Sequence, residues 1–327
     1  MGISREQALD CFRSDDLIGI GMEADAVRRR LHPEGVVSYG IERAIDCANG
    51  ELEGAECEAV CKLAGDTLEL GGTGVLLRVA LESQGSRGPK SQIEWFERLL
   101  AGIKQRYSSI WLSGLSALDV RAMAEASGLG LRDTIARLHD AGLDSLAGEG
   151  GNVAGPDAWI EVHRAAHELG MRTAAAMVFG LGAGEAGAGE TGAGETMEQR
   201  VGFLEAVRQL QEETGGFTAF VPLRFQAPGG RELDEATAVE CLKTLAISRM
   251  FLDNIENVQV SWAAQGLKVR QMGLRFGGND VGSVMLGEGT VKGSATGSSE
   301  EDLRRIIRDA GFMPVQRDPL YRTMFVN

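Results

Sequence analysis

Residues 156–179 read PDAWIEVHRAAHELGMRTAAAMVF, a helical half followed by a strand half. Trp159, Val162, Ala166 and Leu169 recur at the three- and four-residue spacing of one helix face. Arg172–Phe179 is instead a short run of small and apolar residues flanked by Gly170 and Gly180, the pattern of a buried strand. Outward from this stretch the same unit repeats. Strands are expected at Val36–Glu42, Gly74–Ala80, Ser109–Ser113, Asp144–Ala147, Arg172–Phe179, Phe217–Leu223, Asn257–Trp262 and Gly282–Leu286. Helical stretches such as Ser91–Tyr107, Pro156–Leu169, Met197–Glu213 and Glu235–Asn254 lie between them. Evenly spaced strand-then-helix units with no dividing linker predict an α/β fold, a (β/α)8 TIM-type barrel, incomplete or distorted in places. The expected organisation is a single domain over 1–327, with 1–35 as an N-terminal helical extension. A two-domain doubly wound arrangement is the alternative. In a barrel, function belongs on the loops that follow the carboxyl ends of the strands.

The chain has 327 residues, 43% of them hydrophobic, enough to bury a large core. Its formal charge of −14 and pI near 4.9 repel phosphate backbones and anionic lipid, and no run of Lys and Arg offsets this locally, so neither nucleic acid nor membrane is an expected partner. Met1–Asp16 lacks the apolar core of a secretory signal, and no run of 18 apolar residues occurs, which points to a cytoplasmic protein. The five cysteines, Cys11, Cys47, Cys57, Cys61 and Cys241, are odd in number and scattered, as free thiols are.

Residues 182–196 repeat one pentapeptide three times, as GAGEA, GAGET and GAGET. The match to G-x-G-x-x-G at Gly182, Gly184 and Gly187 is a by-product of that repeat. Glu185, Glu190 and Glu195 would stand where a pyrophosphate needs bare amides. A surface loop enlarged by repeat expansion is the reading adopted.

Several stretches, in order, carry a likeness to a known family. They begin with GMEADAVRRRLHP at Gly21–Pro33 and Val37-Ser-Tyr39, and continue with Ala141-Gly-Leu-Asp-Ser145, Ala166-His-Glu-Leu-Gly170 and QEETGGFTAF at Gln211–Phe220. Leu252-Asp-Asn254, Ser261-Trp262, Gln265-Gly266, Leu274-Arg-Phe-Gly277, Asn279-Asp280 and Gly311-Phe-Met-Pro314 extend it almost to the end of the chain. The chain resembles the cyclic dehypoxanthinylfutalosine synthases, radical-SAM enzymes of the futalosine route to menaquinone. That resemblance implies a barrel holding a [4Fe-4S] cluster and S-adenosylmethionine, which together generate a radical that cyclises a nucleoside.

Such a cluster needs three thiolates on one short loop, Cys-x3-Cys-x2-Cys. Cys57-Glu-Ala-Val-Cys61-Lys-Leu-Ala64 has the first spacing and ends in alanine, which is one reading of the site. The preferred alignment makes Ile41–Asn49 the strand end before the cluster loop and Glu51–Gly72 the helix after it, so the loop itself is deleted and Cys57 and Cys61 lie one helical turn apart. Metal binding by these two thiols is the lesser alternative. Other departures fall on the same rim. Arg78-Val-Ala80 stands where the family has Gln-Gly-Gly, Gly150-Gly-Asn-Val153 where it has Gly-Ala-Glu, and the Gly-Ala repeat where it has one Gly-x-x-Glu loop. No cofactor is therefore expected, with both the cluster and S-adenosylmethionine lost.

Among residues that can still carry chemistry, His163 and His167 have the i, i+4 spacing of a metal pair, but no Glu follows His163, the helix should lie on the barrel's outside, and a surface or half-buried pair is the preferred reading; no metal site is assigned. Ser261, Trp262, Gln265, Asn279 and Asp280 are the expected substrate-binding group near the barrel mouth, in the region the family uses for its nucleoside. Asp280 is the candidate general base. Arg275 and Arg317 are candidates to answer a substrate carboxylate. No nucleophile elbow, P-loop, CxxC or zinc signature supplies another chemistry.

The leading functional expectation is a relative of the cyclase that binds a nucleoside-like or aromatic small molecule without making a radical, alone, by self-association or beside a menaquinone-pathway enzyme. An enzyme that cyclises by acid-base means is the second. A scaffold using an exposed face at Trp95 and Phe96 is the third.

Overall fold

In the computed structural model, the described residues are 2–47, 55–79, 89–149, 151, 156–180, 195–225, 236–260, 266–287 and 298–324. The longest strand, β1 (Val36–Cys47), organises the sheet. Along one edge its Glu42–Cys47 half pairs in parallel with β2 (Gly74–Val79), which pairs with β3 (Trp111–Gly114), which pairs with β4 (Ser145–Leu146). Along its other edge β1 pairs in parallel with β8 (Asp280–Leu286). A second parallel sheet is formed by β5 (Thr173–Phe179), β6 (Phe217–Arg224) and β7 (Asn257–Val258).

The two sheets meet twice. Ala176 N donates to Gly148 O at 3.0 Å, joining β5 to the end of β4. On the far side Gln259 bridges to Asp280, and Val260 N donates to Asp280 O at 2.7 Å. The eight strands therefore close into the expected barrel, thin at the β4–β5 and β7–β8 seams. Because β1 is longer than β2, its Val36–Tyr39 half would expose bare amides and carbonyls. A further strand, β9 (Met313–Arg317), pairs there in parallel, and β10 (Thr323–Met324) pairs antiparallel with β9. Neither was expected from the sequence.

Strand positions follow the expected order with changed ends. β1 runs on to Cys47, β8 starts two residues earlier at Asp280, and β7 ends at Val258. The helices α4 (Pro89–Arg106), α7 (Pro156–Glu168), α8 (Met197–Thr214) and α9 (Ala238–Phe251) pack on the outer face of the sheet. Between them lie Leu99, Leu100, Ile103, Trp159, Phe203 and Phe251, all at most 3% exposed. Each such side chain contributes about 1.5–3 kcal/mol on burial.

Trp95 and Phe96 belong to this layer at 5% and 0% exposure, which removes the aromatic surface patch expected of a scaffold.

The N-terminal extension forms α1 (Arg5–Arg13) and α2 (Leu17–Leu31). Ser4 and Gln7 cap α1 reciprocally, with Gln7 N donating to Ser4 Oγ at 3.2 Å and Ser4 N to Gln7 Oε1 at 2.8 Å. Ala24 of α2 is fully buried. No helix of the described residues is long and apolar enough to cross a membrane.

Candidate functional site

The inward-facing side chains of the strands enclose a lumen of about 440 Å³. Its lower end is filled by an ion-pair network. Arg317, at the end of β9, reaches across β1 to Asp280, with Nε donating to Oδ2 at 2.7 Å and Nη2 to Oδ1 at 3.2 Å. The approach requires Gly40, since a Cβ there would lie 2.5 Å from Ser283 Oγ and 3.0 Å from Arg317 Nη1. Asp280 also accepts from Ser38 Oγ at 2.5 Å, Gln259 Nε2 at 3.0 Å and Gly282 N at 2.8 Å. Burial alone pulls the Arg317 guanidinium down; Asp280 beside it more than reverses this and holds it well above its usual value.

These positions correct two expectations. Asp280 opens β8, so it sits beneath the lumen at the amino ends of the strands and not at the mouth. With 0% exposure and both oxygens engaged, its carboxylate has the surroundings of a structural anion, not of a base open to substrate. Arg317 is its counter-ion. Arg275 likewise turns away from the lumen, donating to Ala310 O and stacking 4.4 Å from the Phe312 ring centroid.

Asn279 is drawn into a second network. Its Oδ1 accepts from Arg249 Nη2 at 2.7 Å and Val258 N at 2.9 Å, and its Nδ2 donates to Asn257 Oδ1 at 2.8 Å. Arg249 is itself 0% exposed and donates to the carbonyls of Gly277, Ile255 and Glu256. Asn279 also borders a cavity of about 610 Å³ at the amino-end face of the barrel, with His32, Glu256 and Arg322. Ser261, Trp262 and Gln265 lie outside the described residues.

His163 and His167 both reach Thr173 Oγ1, at 3.0 and 2.9 Å, and His167 Nδ1 lies 2.8 Å from Thr214 Oγ1. Trp159 packs on His163 with ring centroids 4.2 Å apart. Burial pushes His163 down to about 3 and His167 down to about 4, so both rings are neutral at pH 7. The pair is a buried connection between α7 and β5, deeper than the surface or half-buried pair expected from the sequence. Among the described residues no group of three His, Cys, Asp or Glu side chains is placed to hold a metal ion.

Most lumen residues had no forerunner in the sequence reading, a buried arginine among them. Arg270, on α10 (Gly266–Gly273), is 4% exposed and lines the lumen. Its neighbours Val269 and Gln271 mark no face, and a lone arginine in a short helix carries no signal of burial.

Residues 214–326 match the family described as the CofH/MqnC C-terminal region. The cyclic dehypoxanthine futalosine synthase of Streptomyces coelicolor is 32% identical over 99% of this chain and 86% of its own length. That of Halalkalibacterium halodurans is 31% identical over 98% and 90%. The chain belongs to the cyclic dehypoxanthine futalosine synthase family. A tyrosine 4-hydroxyphenyl transferase of Methanothermobacter thermautotrophicus, acting on a ribitylaminouracil by its name, is 32% identical over 85% of the chain and 77% of the relative. Two solved structures share the fold. The FeFe-hydrogenase maturase HydG from Carboxydothermus hydrogenoformans has a TM-score of 0.67 at 16% identity over 98% of this chain and 78% of that one. Methylornithine synthase (PylB) has 0.63 at 14% over 96% and 94%.

The residues present do not fit the iron-sulfur cluster that the family resemblance implies. Residues 48–54, between β1 and α3 (Ala55–Glu69), contain no cysteine. Cys57 and Cys61 stand on α3, and the Cys57 sulfur faces Gly102 of α4, lying 3.7 Å from where a Cβ would stand there. Burial raises the Cys61 thiol and pushes Cys47, at the end of β1, up to about 12. Cluster ligands are thiolates, whereas burial favours the protonated form of Cys47 and Cys61.

Proposed function

We propose that this member of the futalosine synthase family binds a nucleoside-like or aromatic small molecule in its barrel lumen and does so without radical chemistry, in a menaquinone-related role. The observation that carries the reading is the contrast between the two halves of the site. No cysteine lies in residues 48–54, where the cluster loop would stand, while a lumen of about 440 Å³ survives above the Asp280–Arg317 pair. That volume lies within the roughly 300–1,000 Å³ common for small-ligand pockets.

Apolar groups on the lumen wall, including Leu76, Leu146, Val221, Leu223 and Met285, alternate with polar ones such as Ser113 and Ser145. Such a wall suits a flat molecule with a few hydrogen-bonding groups. S-adenosylmethionine is not an expected ligand, because without an open iron nothing chelates its amino and carboxylate groups. Acid-base cyclisation through Asp280 is the weaker reading, since its carboxylate is spent on Arg317 and its neighbours.

The test is calorimetric titration of the purified protein with dehypoxanthine futalosine and, separately, with S-adenosylmethionine. Saturable binding of the first and none of the second is expected. Low-micromolar binding of S-adenosylmethionine, about −8 kcal/mol, would overturn the reading.

A further inference from the structure

The lumen and the amino-end cavity abut. Three residues, Arg172, Thr218 and Tyr321, belong to the walls of both. The Asp280–Arg317 network fills the lower end of the barrel under β8 and β1, so beneath β5 and β6 these three residues form the partition. Two of them are tied to the backbone: Arg172 Nη1 donates to Gly215 O, and Thr218 Oγ1 donates to Thr173 O at 3.2 Å. Tyr321 is held differently. Its ring lies against the Arg317 guanidinium, with Cζ 4.3 Å from the ring centroid.

The backbone beneath that ring is unusual. Tyr321 has φ 62°, in the left-handed region, a conformation that among the described non-glycine residues only Leu115 shares. A Cβ disfavours it, so such residues persist where their surroundings over-determine them, and they cluster at clamps and switch regions. Asp318 imposes it here. Its Oδ1 accepts from Leu320 N at 3.0 Å and Arg322 N at 2.9 Å, its Oδ2 from Arg322 Nε at 2.6 Å, and its carbonyl from Tyr321 N at 3.0 Å. Asp318 N in turn donates to Arg322 O at 3.0 Å. All these bonds close within residues 318–322, so the turn between β9 and β10 is a unit that sets the ring at the partition without spending any barrel pairing on it. The ring can therefore swing out of the partition while the strand ladders stay intact.

We propose that Tyr321 is a gate between the lumen and the amino-end cavity, and that the barrel has a second entrance at this end for small neutral molecules no thicker than the ring they displace. The interior of a (β/α)8 barrel is ordinarily a packed core, with its sites on the carboxyl-terminal face. Here cavities of about 440 and 610 Å³ stand on either side of one ring, which leaves the interior a single side chain away from the opposite face. The gate goes beyond the proposed function and does not depend on which molecule the lumen binds.

The experiment places a thiol at either end of the lumen wall, by Ser145→Cys on the first residue of β4 and by Met285→Cys one residue before the end of β8. Labelling of each folded protein by methyl methanethiosulfonate, a small neutral reagent, is timed by peptide mass, with Tyr321 intact and with Tyr321→Gly, Tyr321→Phe or Tyr321→Trp. Tyr321→Gly removes the ring and relieves the backbone, since glycine takes a positive φ freely, so the fold should survive it. It should speed labelling at Ser145→Cys at least tenfold and leave the rate at Met285→Cys within twofold. Tyr321→Phe keeps the ring and should label as the parent does, whereas Tyr321→Trp should slow labelling at Ser145→Cys. An unchanged rate at Ser145→Cys with Tyr321→Gly would overturn the proposal. So would equal acceleration at both thiols, which would mean a general loosening of the barrel. Should Tyr321→Gly melt far below the parent, Tyr321→Trp decides: labelling at Ser145→Cys that is unchanged or faster with the larger ring in place removes the gate.

Discussion

Gly180 and Glu195 are hydrogen-bonded to each other, the backbone N–H of the first donating to the side-chain Oε2 of the second at 3.0 Å. They stand at the two ends of the Gly-Ala repeat, so the last glutamate of the repeat clamps its base. Glu195 also accepts from Arg200 Nε and Nη2 at 3.1 and 2.7 Å, and Thr196 caps α8 through a reciprocal bond with Gln199. Glu195 and Thr196, the last two residues of the repeat, therefore have structural work.

Removal of residues 182–191, which leaves one GAGET copy, should change stability by only about 1 kcal/mol, because closure entropy depends weakly on loop length. Glu195→Ala should be worse than that deletion, costing about 2–4 kcal/mol, since it strips a carboxylate from the buried Arg200 and leaves only the exposed side of the pair at Glu240. Urea denaturation of both variants orders the two costs; a deletion more damaging than Glu195→Ala would mean that the insert has another structural task.

Asp280→Ala should destabilise the barrel by about 3–5 kcal/mol, because Arg317 would remain buried with only the longer contact to Glu42, at 3.5 Å, to answer its charge. Asn279→Ala should act in the same direction through Arg249 and Val258 N, which lose a shared acceptor. Chemical unfolding reads both. A folded Asp280→Ala protein of unchanged midpoint that fails to bind ligand would instead make this carboxylate a binding group.

Stability should fall as pH drops from 6.5. His163 and His167 have folded values near 3 and 4, below the free imidazole, so the unfolded chain takes up protons first. Unfolding therefore becomes easier throughout the window between 6.5 and 4, by about 2 kcal/mol for each ring at pH 5. Replacing both rings by Gln should flatten the urea midpoint between pH 7.5 and 5. An unchanged slope in that double variant would assign the acid sensitivity to other groups.

Anaerobic reconstitution with iron and sulfide should give no stable [4Fe-4S] cluster. Cys57 and Cys61 are held on one helix and Cys47 is buried at a strand end, so three thiolates cannot gather on one loop without unfolding α3. Iron analysis and the visible spectrum decide it; about four irons per chain with a thiolate-to-iron band would refute the prediction.

Hydrophobic periodicity alone set out the eight barrel strands and their helices, because a strand or helix face is written in residues two, three or four apart. The spacing of the five cysteines likewise contains no Cys-x3-Cys-x2-Cys stretch. The tertiary structure decided what the polar residues do. Asp280 meets an arginine 37 positions away, and Asn279 meets one 30 positions away. Neither partner is signalled by local pattern, since an ion pair across a barrel depends on which strands adjoin and not on spacing along the chain. Arg270 is the sharpest case: its sequence neighbourhood is that of an exposed helix, and only the assembly of the strands into a barrel, with β8 closed against β1, makes it part of the lumen wall.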